Sequence, residues 1–122
     1  MEGDRMTFGA LFRETRERAG KSMGDIARHL KVTVPFVSDV ERGRRGPFTT
    51  EKVIAASNLL GVAPDRLLQA AAKDRKTIEL SAAGARPKML QVGAGLMRHW
   101  KTLTDKQLEE IEKVLGESEE DQ

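Results

Sequence analysis

Arg42, Arg44 and Arg45 crowd into the run ERGRRGP at residues 41–47. A guanidinium stays charged at any physiological pH and offers planar, forked donors, so a cluster of them suits the oxygens of a phosphate polymer. No other set of side chains promises chemistry of its own. The chain has no Cys and no Tyr, and its two histidines, His29 and His99, stand far apart without metal-ligand spacing. No nucleophile, base and orienter can be assembled from what remains, so the chain reads as a non-enzyme that needs no metal and no cofactor. Gly93-Ala94-Gly95 lacks the preceding strand and following Lys-Ser of a phosphate loop.

The arginines need elements to hold them, and SMGDIARHLKVTVPFVSDVERG at 22–43 supplies two short helices joined by a tight turn. Ser22 is a good helix start, and Asp25 puts a carboxylate in the first turn. Ile26, Ala27 and Leu30 fall on one face. Thr33 opens the next helix in the same way, and Pro35 is tolerated in its first turn, where amides have no partners to lose. Val37 and Val40 form the inward stripe, Val32 can plug the gap between the helices, and Gly43 ends the second one. Two helices packed in this way are a common means of placing a short helix in a DNA major groove.

Four stretches, FGALFRETRERAGKS, IARHLKVT, VSDVERGRRGP and LLGVAPDRLL, together resemble the Cro/CI-type (XRE-like) helix-turn-helix domain of bacterial and phage regulators over residues 8 to about 70. The resemblance implies an all-α fold: a five-helix, lambda-repressor-like domain with a C-terminal helical extension that the family does not explain. It implies a salt bridge between Arg16 and Glu41. It also implies double-stranded DNA as partner, contacted by Ser22, Met23, Lys31, Thr33, Val34, Pro35, Phe36, Ser38, Asp39, Arg42, Arg44 and Arg45. Well-known members often carry Gln where this chain has Met23, Val34, Pro35 and Asp39, and Gly where it has Lys31. Val34 and Pro35 cannot hydrogen-bond a base through their side chains, although apolar groups can meet a thymine methyl and Asp39 can accept from a cytosine amine. Phe36 is equally suited to core packing.

The periodicity predicts helices at about 7–19, 23–30, 34–42, 50–60 and 64–72, with residues 1–72 forming the DNA-binding domain. Thr7 caps the first, with Phe8 and Phe12 facing inward and Leu11 outward. Thr49 or Thr50 starts the fourth, Gly61 ends it, and Pro64 opens the fifth. Residues 73–86 read as a linker with a short extended piece at 77–80. A helical region at 87–116 follows, in which Thr104 and Gln107 form a capping box and Gly116 stops the last helix. Residues 117–122 read as a disordered acidic tail. Aromatic residues make up only 4% of the chain and charged ones 33%, which predicts a modest, mostly aliphatic core.

Charge is unevenly spread. Residues 1–70 hold 12 basic and 9 acidic side chains, 71–106 hold 8 and 3, and 107–122 hold 1 and 7. The basic body suits a polyanion. Met1 to Asp4 is polar and acidic, and no apolar run approaches 18 residues, so neither a signal peptide nor a membrane span is expected and cytoplasm is the default.

These readings converge on a sequence-specific transcriptional regulator, a repressor binding a pseudo-palindromic operator as a homodimer. Met89, Leu96, Met97, Trp100, Leu108, Ile111 and Leu115 are the candidate dimer contacts. The alternative is an antitoxin-like or adaptor protein whose C-terminal part binds a partner protein such as a toxin or peptidase.

Overall fold

The computed structural model describes residues 6–120, and no strand occurs among them. The helices are α1 (Phe8–Arg18), α2 (Met23–Leu30), α3 (Val34–Glu41), α4 (Thr50–Leu60), α5 (Asp65–Arg75), α6 (Pro87–His99) and α7 (Asp105–Glu120). A short 3-10 turn, Trp100–Thr102, lies between the last two. The chain forms two units, one ending at Glu79 and the other beginning at Leu80.

In the first unit each of the first four helices is capped at both ends by its own sequence. Thr7, Ser22, Thr33 and Thr49 accept hydrogen bonds from amides in the first turns of α1 to α4. Each of these helices then closes with the same pair of backbone bonds, in which a residue at positive φ and its successor donate back into the last turn. Gly20, Gly43 and Gly61 take that left-handed position in α1, α3 and α4, but Lys31 takes it in α2, at φ 59°. Val32, whose amide reaches the Ala27 carbonyl at 3.0 Å, packs its side chain on the core as expected.

Ile26, Ala27, Leu30, Val37 and Val40 are buried along the stripes their spacing predicts. Leu11 differs: it is 4% exposed and belongs to the core, not to an outward face. The α1 spacing places Phe8, Leu11 and Phe12 on one arc, and contacts with α5 widen that arc beyond what α3 alone would cover. The other three phenylalanines of the chain converge on Phe48, which meets Phe12 and Phe8 edge-on at 5.1 and 5.8 Å between ring centres. Among the described residues no buried side-chain nitrogen or oxygen lacks a hydrogen-bond partner. Arg16 and Glu41 form the implied salt bridge, at 2.7 and 3.0 Å, and both are buried. A third donor of Arg16 reaches the Lys21 carbonyl at 2.9 Å.

The fifth helix runs to Arg75, three residues past its expected end, so the segment read as linker from residue 73 begins in helix. The apolar stripe does stop at Ala71, but polar contacts continue the work. The Asp74 carboxylate accepts from the amide of Phe8 at 2.9 Å, one of the α1 donors that have no acceptor within their own helix. The Arg75 guanidinium donates to the carbonyl of Pro47 at 2.7 Å and to that of Phe48.

In the second unit, Pro87 starts α6, and Gly93 and Gly95 leave that helix unbroken. The capping box of α7 is present: Gln107 donates its amide to the Thr104 hydroxyl at 3.1 Å, and the Thr104 amide donates to the Gln107 side chain at 2.9 Å. Gly116 does not stop α7, which continues to Glu120; the expected tail is therefore helical at 117–120, and residues 121–122 lie outside the described residues. A glycine ends a helix only when the chain takes positive φ there, and Gly116 does not. Residues 77–80 pair with no strand.

Candidate nucleic-acid interface

Burying Val37, Val40 and Glu41 leaves the opposite arc of α3 outward. Val34 and Pro35 are exposed, and Ser38 and Asp39 are half-buried on the same side. Thr33 is exposed at the amino end, Arg42 at the carboxyl end, and Lys31 in the preceding turn. The Asp39 carboxylate enters no ion pair among the described residues. Its backbone carbonyl is occupied twice, by the amides of Arg44 at 2.9 Å and Arg45 at 3.2 Å. The loop carrying the arginines is thus folded back onto the end of α3, and Gly43, at φ 77°, makes the reversal.

Arg42, Arg44 and Arg45 are exposed, and among the described residues no carboxylate pairs with them. Their charges are therefore available to an outside partner. Phe36 does not join the outward set. It is half-buried, packs on the core and stacks against Phe48. Met23 also leans into the core from the first turn of α2.

The helix amino ends offer few free donors. In α3 the Phe36 amide is taken by the Thr33 hydroxyl at 3.2 Å and Pro35 has none, which leaves Val34. In α2 a reciprocal box joins Ser22 and Asp25, at 2.9 and 3.0 Å, leaving the amides of Met23 and Gly24. The Ser22 backbone amide, and next its hydroxyl, hold the Asp25 carboxyl below the usual carboxylate range, with smaller help from Arg28. An ionised Asp25 already occupies the positive end of the α2 dipole. Cationic attraction on this face therefore centres on the end of α3 and its loop.

Two positions that matter here escape a reading by periodicity. Phe48 lies beyond the basic loop, where no helical pattern marks it. Arg75 follows the last apolar residue of α5, and only its charge, in a chain rich in charge, distinguishes it.

Residues 7–71 match the family described as a helix-turn-helix domain. That match covers more than half of the chain, and the protein belongs to this family of DNA-binding domains, of the Cro/CI type that its motifs resemble. No curated protein matches the sequence. Among the described residues no helix is long and apolar enough to cross a membrane, and no group of three or more His, Asp or Glu could hold a metal ion.

Proposed function

We propose that this protein is a sequence-specific transcriptional repressor that binds a pseudo-palindromic operator as a homodimer. The observation that carries the reading is the outward arc of α3, with Val34, Pro35, Ser38 and Asp39 exposed or half-buried beside three arginines that no carboxylate pairs among the described residues. Arg42, Arg44 and Arg45, with Lys31 across the turn, neutralise phosphates and set the register. Asp39, Ser38 and the apolar pair Val34-Pro35 face the bases. The amides of Met23, Gly24 and Val34, beside Ser22 and Thr33, add backbone contacts.

A second copy of the chain is the occupant of the C-terminal apolar faces. On α6 and the turn after it, Met89, Met97 and Trp100 are exposed, as are Leu108, Ile111 and Leu115 on α7; Leu96 is half-buried. Such a surplus of apolar surface marks an interface. Charge complementarity favours a like partner, because α6 carries Lys88 and Arg98 while α7 carries Glu109, Glu110 and Glu112. Two modules held together would span half-sites about one helical turn apart, multiplying a modest single-site affinity. Occupying a promoter in this way excludes transcription.

Selection of bound duplexes from a random pool tests the reading. It predicts an inverted repeat, two chains per duplex, and affinity that falls steeply with salt, by about 0.9 in log–log slope for each phosphate neutralised. A pool that fails to enrich, or an affinity indifferent to salt, refutes it.

A further inference from the structure

Phe36 stands on α3 between the outward positions Pro35 and Ser38, yet its ring is engaged inside the protein. The ring lies nearly parallel to that of Phe48, at 19° and 6.0 Å between centres. The Arg45 guanidinium carbon sits over the Phe36 ring, 4.5 Å from its centre. Phe48 is itself buried and wedged edge-on against Phe12 and Phe8. A continuous set of ring contacts thus runs from the core through Phe48 and Phe36 to one arginine of the exposed loop.

The backbone beneath that arginine is held at both ends. The Arg45 amide donates to the Asp39 carbonyl at 3.2 Å, and Arg75 grips the carbonyls of Pro47 and Phe48. A carboxylate partner would orient Arg45 by neutralising it. An aromatic ring beneath the guanidinium carbon orients it without neutralising it, which leaves the charge for an outside acceptor. Holding the side chain beforehand also removes part of the ordering cost of binding. Among the described residues Arg42 and Arg44 have no such ring, so the arrangement singles out Arg45.

We propose that Phe36 is a positioning residue that presents the Arg45 guanidinium to a backbone phosphate of duplex DNA and does not itself touch a base. The proposal rests on the reading of this loop as a DNA contact. Arg45 is then the most effective of the three arginines, and Phe36 acts through it alone.

A double-mutant cycle on the full-length chain tests this, with affinity read by fluorescence anisotropy on a duplex selected from a random pool. Phe36→Leu is expected to weaken binding roughly two- to fivefold per subunit, the worth of an exposed cation–ring contact. It should cost nothing further in an Arg45→Ala background, while adding fully to Arg44→Ala. Pentafluorophenylalanine at position 36 keeps the ring's shape and reverses its charge distribution, and should produce the same loss without unfolding. In the free protein, the Arg45 side-chain proton resonances should be shifted upfield by the ring and should return towards ordinary values in Phe36→Leu. Additive losses for Phe36 and Arg45, full binding with the fluorinated ring, or a changed selected motif in Phe36→Leu would each overturn the assignment while leaving DNA binding intact. Failure of the native chain to bind any duplex would instead refute the functional reading beneath it.

Discussion

Gly9 of α1 lies against the carboxyl end of α3 so closely that a Cβ at Gly9 would stand 2.3 Å from the carbonyl oxygen of Val40. The Glu41 carbonyl oxygen would be 2.6 Å away. Both obstacles are backbone, which cannot rotate aside as a side chain would. Gly9→Ala therefore forces α1 away from the helix that carries the candidate DNA-reading surface. Overpacking of this kind costs about 3 kcal/mol, against a gain of about 1 kcal/mol from alanine's helix propensity. The expected net loss, about 2 kcal/mol, is measurable as a lower urea midpoint with an unchanged m-value.

Glu41→Ala should cost more, about 3–5 kcal/mol, because it leaves the buried Arg16 guanidinium without its carboxylate. Replacing both partners, as Arg16→Met with Glu41→Leu, should recover much of that loss. Thermal unfolding of the single and double variants gives the comparison, and a double variant no better than Glu41→Ala would show that the Lys21 carbonyl contact dominates.

Lys31→Gly separates stability from binding. Glycine takes the positive φ of this turn without strain, so the variant should be more stable by up to about 1 kcal/mol. Loss of the cation should at the same time weaken binding to all sequences alike and lower the salt slope by about 0.9 per subunit. An unchanged slope would remove Lys31 from the phosphate contacts.

The Ser22–Asp25 box predicts a dependence on acid. A carboxyl held below its ordinary pKa contributes stability that is complete above the unfolded value of about 3.9 and is lost as pH falls towards its folded value. Asp25→Asn should therefore differ from the native chain at neutral pH, and the difference should shrink as pH falls below the ordinary carboxylate value and through the lowered folded one. Urea midpoints across that range provide the check.

Truncation tests both the domain boundary and the dimer. A chain cut after Glu79 keeps Asp74 and Arg75 and should be folded and monomeric by light scattering, with most operator affinity gone. A cut after Ala72 removes the acceptor for the Phe8 amide and the donor to Pro47 and Phe48, and should unfold at a lower temperature. A fragment ending at Glu79 that still dimerised would place the interface in the first unit.

Legibility in the sequence followed the range of the forces involved. Ser22, Thr33, Thr49 and Gly61 act within a turn of chain, and their positions were readable from local residue types. The stripes of α2 and α3 were readable for the same reason, since one period sets which side is buried. Leu11 was misplaced because its burial depends on α5, more than fifty residues later. Phe36 was ambiguous because its surroundings are completed by Phe48 and Arg45 from a loop without period. The end of α5 was missed because polar bonds, not apolar spacing, extend it. At the candidate interface, the types of the arginines were plain in the sequence, but which amides remained free at the helix ends was not.

The connection between α2 and α3 consists of Lys31, Val32 and Thr33, and each is already committed: one makes the left-handed reversal, one fills the gap, one caps α3. An inserted or deleted residue there would rotate α3 about its axis and turn its buried stripe outward. Gly46, between Arg45 and Pro47, is different, since it has open space around it. Evolution of this domain can thus vary the candidate interface by exchanging side chains along α3, or by lengthening the arginine loop at Gly46, but not by altering the turn that holds the helix.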